Sequence, residues 1–112
     1  MAKVLILGEV EIPLDKEGYL RNLEDWSEEA ATALALEEEI VLGTSHWEVL
    51  NLLRAFYKHH QISPANRALV KLVERELGKD KGRSIYLMKL FRGSPAKTAS
   101  KIAGLPKPDN CL

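Results

Sequence analysis

A chain of 112 residues, 46% apolar and 29% charged, has the composition of one soluble globular domain large enough for a single hydrophobic core. Its 16 basic and 16 acidic side chains leave no formal net charge, which excludes a global attraction to nucleic acid or membrane. No apolar run approaches the ~20 residues of a membrane span, Val4-Leu5-Ile6-Leu7 is too short for a signal-peptide core, and a single cysteine forms no internal disulfide, so a reducing, cytoplasmic setting is expected.

The neutral total conceals a division. Residues 1–66 carry 5 basic and 12 acidic side chains, a net of −7, and residues 67–112 carry 11 and 4, a net of +7. Such halves attract each other within one fold, and the basic half offers a surface to an acidic partner or an RNA backbone.

Val4-Leu5-Ile6-Leu7 and Val10-Glu11-Ile12 are β-rich runs separated by Gly8-Glu9, the spacing of a hairpin with glycine leading a type II′ turn. Pro13 is expected to end the second strand, and the hairpin must pack on helices, because two strands alone are marginal in water. Asp15 to Leu20 reads as a turn-bearing connection anchored by Tyr19 and Leu20. Ser27 is an N-cap, with Glu28 and Glu29 at the positive end of a helix dipole. That helix is expected to reach about Glu38 and to bury Ala30, Ala31, Leu34 and Leu36. Glu37-Glu38-Glu39 reads as a solvated helix end rather than a metal site, because no histidine lies nearby.

Thr44 or Ser45 caps the second helix, where Ser45-His46-Trp47-Glu48 fits a capping box. Trp47, Leu50, Leu53 or Arg54, and Tyr57 trace one face, with Val49, Leu52 and Phe56 beside it; this is the expected core helix. His59 and His60 close it at the negative end of the dipole. Ser63-Pro64 pairs an N-cap with the residue suited to the first helical position. The third helix, to Leu77, is expected to bury Ala65, Ala68, Leu69, Leu72 and Val73, and Arg67, Lys71 and Arg75 recur every four residues as a basic stripe. Gly78 ends it, and Lys79 to Arg83 is a polar turn. Ser84 to Phe91 forms a fourth helix with Ile85, Met88 and Phe91 expected inward. Gly93 breaks it, and Ser94-Pro95 opens a fifth that buries Ala96, Ala99, Ile102 and Ala103.

Gly104 offers a left-handed C-cap at low steric cost. Pro106 and Pro108 then forbid a helix and bias Leu105 and Lys107 to extended backbone. The expected architecture is therefore mostly α with a small β-hairpin. An N-terminal two-stranded antiparallel hairpin sits on a five-helix bundle within residues 1–104, and residues 105–112 form a mobile C-terminal arm of the same domain. Leu105 is the arm's one strong apolar anchor before Leu112. Extended, the arm carries Cys111 on the order of 23 Å from Gly104, at about 3.3 Å per residue, far enough to enter a partner's active site.

Cys111 is the credible nucleophile of this chain. A free cysteine used for packing sits inside an element, and this one stands on the arm, with the cations Lys101 and Lys107 nearby opposed by Asp109 and the Leu112 carboxylate. As a thiolate it can attack a persulfide and retain the outer sulfur. An ordinary thiol is only partly ionised at neutral pH, which suits a carrier activated by its donor and acceptor better than a self-sufficient enzyme. No Gly-rich phosphate loop, Cys-x-x-Cys, HExxH or Ser-His-Asp order occurs, so no cofactor or metal is expected. Arg67, Lys71, Lys97, Lys101 and Lys107 are the candidates for guiding partners. The competing reading of another class is a DNA-binding regulator using the helices from Pro64 and Ser84 as a helix-turn-helix, a pattern common among small bundles.

Several short runs together resemble the DsrC/TusE family over nearly the whole chain: Gly18-Tyr19-Leu20, His46-Trp47-Glu48, Ser63-Pro64-Ala65 with Arg67, Lys81-Gly82 with Ser84, Tyr86-Leu87, Leu90-Phe91 and Pro95-Ala96-Lys97. The most specific is Ile102-Ala103-Gly104-Leu105-Pro106-Lys107-Pro108 ending in Cys111. The resemblance implies a β-hairpin on a five-helix bundle and a mobile arm whose penultimate cysteine accepts sulfur as a persulfide and delivers it onward. In the DsrC branch, which works with dissimilatory sulfite reductase, a second cysteine stands eleven residues before the penultimate one. Here that position is Ser100, whose hydroxyl cannot form the disulfide or trisulfide of that chemistry. The chain therefore looks like the TusE branch, the sulfur-relay proteins of 2-thiouridine formation at tRNA wobble positions. This implies a donor resembling the TusBCD complex and an acceptor resembling the tRNA thiolase MnmA, with tRNA at hand and no membrane or cofactor. A sulfite-reductase-associated subunit that has lost its second cysteine is the competing reading within the family. Two departures from the family pattern are Arg92, where proline is usual, and an added Ser94.

Overall fold

The computed structural model describes residues 3–109. β1 (Lys3–Leu7) and β2 (Val10–Leu14) pair antiparallel, with Leu7 opposite Val10 and Lys3 opposite Leu14. Gly8 takes φ 59° and Glu9 stays out of the left-handed region, as a type II′ turn requires. β2 does not end at Pro13. That residue lies opposite Val4, and its carbonyl accepts a hydrogen bond from the Arg21 N–H, on the side away from β1. Its backbone faces outward there, so the missing N–H costs no ladder bond. Leu5, Ile12 and Leu14 are buried, as are the anchors Tyr19 and Leu20.

α1 (Glu28–Glu37) starts as expected, with Ser27 Oγ accepting from the Ala30 N–H at 3.0 Å. It buries Ala30, Ala31, Leu34 and Ala35, while Leu36 is exposed. At 3.6 residues per turn, Leu36 lies about 200° around the helix from Leu34, so both cannot face the core. α2 (Thr44–His60) is preceded by Gly43 as N-cap, so neither Thr44 nor Ser45 caps it and the box from Ser45 does not form. Instead His46 Nδ1 accepts from the Gly43 N–H at 3.0 Å. A backbone N–H only donates, so Nδ1 is bare and Nε2–H donates to the Leu90 carbonyl at 3.0 Å. One imidazole thus ties the start of α2 to the end of the fourth helix. Val49, Leu50 and Leu53 are the buried residues of α2; His59 and His60 are exposed, and no group of three potential metal ligands occurs among the described residues.

α3 (Asn66–Leu77) begins two residues later than Ser63-Pro64 suggests. Ala65 becomes its N-cap, Ala68 turns to solvent, and Leu69, Leu72 and Val73 form the buried face. α4 (Ser84–Phe91) buries Leu87 and Phe91, and leaves Ile85 and Met88 exposed. The backbone chooses this face. Gly82 lies so close to Glu74 of α3 that any Cβ would overlap it, which fixes how α4 enters the bundle. After α4, Arg92 takes φ 54°. Proline holds φ near −65°, so the turn at Arg92 follows a path that a proline there would not allow.

α5 (Pro95–Ile102) packs against α1, α2, α3 and α4. Pro95, Ala96, Ala99, Ser100 and Ile102 are buried along it, with Ala103 after it. Small residues allow the neighbours to approach closely, which puts α5 at the centre. Its first turn is capped from a distance: Asn66 Oδ1 accepts from the Ala96 N–H at 2.8 Å. Among the described residues, no helix is long and apolar enough to cross a membrane.

Candidate functional site

The arm leaves the body at the end of α5, and every carbonyl there has a donor. Gly104, at φ 75°, gives its N–H to the Lys101 carbonyl at 3.1 Å, and Leu105 gives its own to Ser100 at 2.9 Å. This is a Schellman ending, as the glycine led us to expect. The next two carbonyls are taken by distant side chains. Trp26 Nε1–H donates to Ile102 at 3.0 Å, and an Arg54 N–H donates to Ala103 at 2.7 Å. The Arg54 guanidinium also lies 3.7 Å from the centre of the Trp26 ring. Burial lowers the pKa of Arg54, the direction expected for a cation losing water. The stacked ring and the carbonyl compensate for that loss.

Trp26 and Arg54 hold the arm's starting direction, and sequence reading passes over both as functional residues. Arg54 enters only as an alternative to Leu53, and Trp26 belongs to no predicted element. The legible signal was a cation at an apolar position of the core helix.

The arm's root is fastened along the body. Leu105 and Pro108 are buried, and the Ser63 hydroxyl, free of the expected capping role, donates to the Pro106 carbonyl at 2.7 Å. Lys107 Nζ pairs with Glu17 at 2.9 Å. Burying Leu105 contributes about 1.5–3 kcal/mol, whereas an exposed ion pair contributes at most about 1 kcal/mol. Leu105 is therefore the main fastening. Cys111 lies outside the described residues. Three residues beyond Pro108 span about 10 Å at most, so the full reach from Gly104 requires Leu105 to leave its site.

Two of the five candidate cations, Lys101 and Lys107, bring their ammonium groups to the turn from Asp15 to Leu20, and Lys97 meets it through its backbone. The Tyr19 hydroxyl donates to the Lys97 carbonyl at 3.2 Å. Lys101 Nζ reaches Glu38 at 3.3 Å, lies 5.3 Å from the Tyr19 ring centre and runs past Gly18. Lys107 is held by Glu17 as described. Arg67 and Lys71 are elsewhere, exposed on α3, and Arg75 of the same stripe pairs with Glu76 at 3.0 Å.

Ser100 is 0% exposed, and its Oγ has no hydrogen-bond partner. A buried hydroxyl without a partner costs about 1–3 kcal/mol. Ser100→Ala is accordingly expected to raise stability by about 1 kcal/mol in urea melts; an unchanged or lower stability would mean that the hydroxyl is satisfied. A cysteine placed at 100 would be equally enclosed, so a disulfide to Cys111 would require the packing around α5 to open.

The family described as DsrC like protein matches residues 7–112. A protein named sulfurtransferase TusE from Photorhabdus laumondii is 50% identical over 109 residues, covering 97% of this chain and 98% of that protein. A sulfurtransferase TusE homolog from Haemophilus influenzae is 49% identical over 97% of this chain and all of its own length. Among solved structures, DsrC of Allochromatium vinosum superposes with a TM-score of 0.89 at 44% identity over the whole of both chains. The oxidized γ-subunit of dissimilatory sulfite reductase (DsrC) from Archaeoglobus fulgidus gives 0.85 at 36% identity, covering 98% of this chain and 100% of that one.

Proposed function

This chain belongs to the DsrC-like family, and from that membership we propose that it is a cytoplasmic sulfur carrier of tRNA wobble-uridine 2-thiolation, with Cys111 as acceptor and donor. The observation that supports this reading most is its identity of about half with proteins named sulfurtransferase TusE, over 97% of the chain. The Cys111 thiolate attacks the outer sulfur of a donor persulfide. The S–S bond breaks, the donor leaves as a thiolate, and Cys111 holds the sulfur as its own persulfide, with no net oxidation. Delivery has the same polarity: an acceptor thiolate attacks that outer sulfur, the S–S bond breaks, and Cys111 leaves as the thiolate. The donor resembles the TusBCD complex and the acceptor resembles the thiolase MnmA with its tRNA. Lys97, Lys101 and Lys107, around the arm's root, guide these partners by charge.

Ser100 favours this branch over a sulfite-reductase-associated subunit, because a single thiol permits no intramolecular disulfide. Intact-mass analysis after incubation with a cysteine desulfurase and relay donor is the test. A gain of one or more sulfur atoms is expected, removed by reductant and blocked by prior alkylation of Cys111. No gain, or a gain that survives alkylation, would refute the carrier role.

A further inference from the structure

α4 leaves an apolar pair uncovered, with Ile85 64% and Met88 49% exposed. Beside them, a cavity of about 160 Å³ opens between α3 and α4, floored by Val70, Leu87, Met88 and Pro95, with Asn66 and Ser84 at its edges. That volume is comparable to a cavity that admits one benzene-sized group. The first two turns of α3 and all of α4 carry one sign of charge. Arg67 and Lys71 stand exposed on α3, Lys89 on α4 and Arg92 just after it. No acidic residue occurs from Asn66 to Val73 or from Lys81 to Pro108. The ion pairs among the described residues engage Arg75, Lys81, Lys101 and Lys107. Among the described residues, the four cations of this surface therefore form no ion pair with a carboxylate.

We propose that this groove is a docking site for an amphipathic helix of a partner protein, which inserts one apolar side chain and presents carboxylates on either side. Cations without acids select the acidic flanks. The apolar floor and the exposed Ile85 beside it select a protein over an RNA backbone, since phosphates gain nothing from Val70, Met88 or Ile85. A furrow between two helices suits a helical segment anchored by one or two side chains. The site lies on the body of the protein, uses neither Cys111 nor the arm, and goes beyond the carrier reading.

The test is a titration of the full chain, methyl-labelled at isoleucine and methionine, with a short amphipathic peptide carrying a leucine stripe flanked by glutamates. Saturable shifts are expected at Ile85 and Met88. Arg67→Glu combined with Lys71→Glu should weaken binding about tenfold or more, and so should Ile85→Ser, read at Met88. All three positions are exposed, so thermal melts should match the parent. The proposal is overturned if no saturable shift occurs, or if a lysine-flanked peptide binds equally well. It is also overturned if tRNA shifts the same methyls and Ile85→Ser leaves that binding intact, which would mark a nucleic-acid surface. Shifts that grow with protein concentration alone would assign the groove to a second copy of this chain and overturn it as well.

Discussion

Cys111→Ala is expected to abolish sulfur transfer completely, while changing the free energy of unfolding by no more than about 0.5 kcal/mol. The chain has one cysteine, so no second thiol can take over the load. Stability should be spared because truncating a thiol on an arm outside the helices leaves no core cavity, and the core among the described residues runs from Leu5 of the hairpin to Leu105 at the arm's root. The measurements are transfer from a persulfide donor to an acceptor, and urea melts of both proteins. A loss above about 2 kcal/mol would mean that the sulfur is packed in a core. Residual transfer would assign the carrier role to another group, and either result would end the reading of Cys111 as the working atom.

Gly104→Ala should destabilise the protein by about 3 kcal/mol or more, from two separable causes. At φ 75° a Cβ costs about 1–2 kcal/mol in any context. Here it would also overlap Cβ, Cγ and Cδ1 of Trp26, so the indole would have to move. Overpacking of that kind adds about 1–3 kcal/mol. Moving the indole breaks its bond to Ile102 and its stack with Arg54, which together set how the arm leaves α5. Gly8→Ala is the internal control, because Gly8 has φ 59° with nothing within 4 Å of a Cβ. It should lose only the backbone part. Equal losses in denaturant melts of the two variants would show that the Trp26 contact contributes nothing.

If the Gly104 variant folds, its arm starts from a disturbed root, and transfer through Cys111 should slow even though the thiol is intact. Trp26→Phe should do the same more gently. It keeps a ring for Arg54 but removes the Nε1–H that satisfies Ile102. Slower transfer with an unchanged alkylation rate at Cys111 would separate misdirection of the arm from damage to the nucleophile.

The elements of this protein are legible in its sequence wherever the determinant is local. Gly8-Glu9 specifies the hairpin turn, Ser27 the first cap, and Gly78 and Gly104 the ends of α3 and α5, because φ preference and short-range hydrogen bonds act within a few residues. The proposal of Cys111 as the working thiol rests on the same kind of local argument, since Pro106 and Pro108 bar a helix just before it. Only the tertiary structure decided which face of α4 turns inward. Ile85 with Met88 and Leu87 with Phe91 are both apolar pairs at helical spacing, and periodicity cannot rank them. The choice falls to the approach of Gly82 to Glu74 on another helix. The caps of α5 are equally invisible to local reading, since Asn66, Trp26 and Arg54 lie 30 or more residues away from the groups they satisfy. Orphan backbone groups at a buried helix end require partners, but the sequence does not say which distant side chain the packing will bring to them.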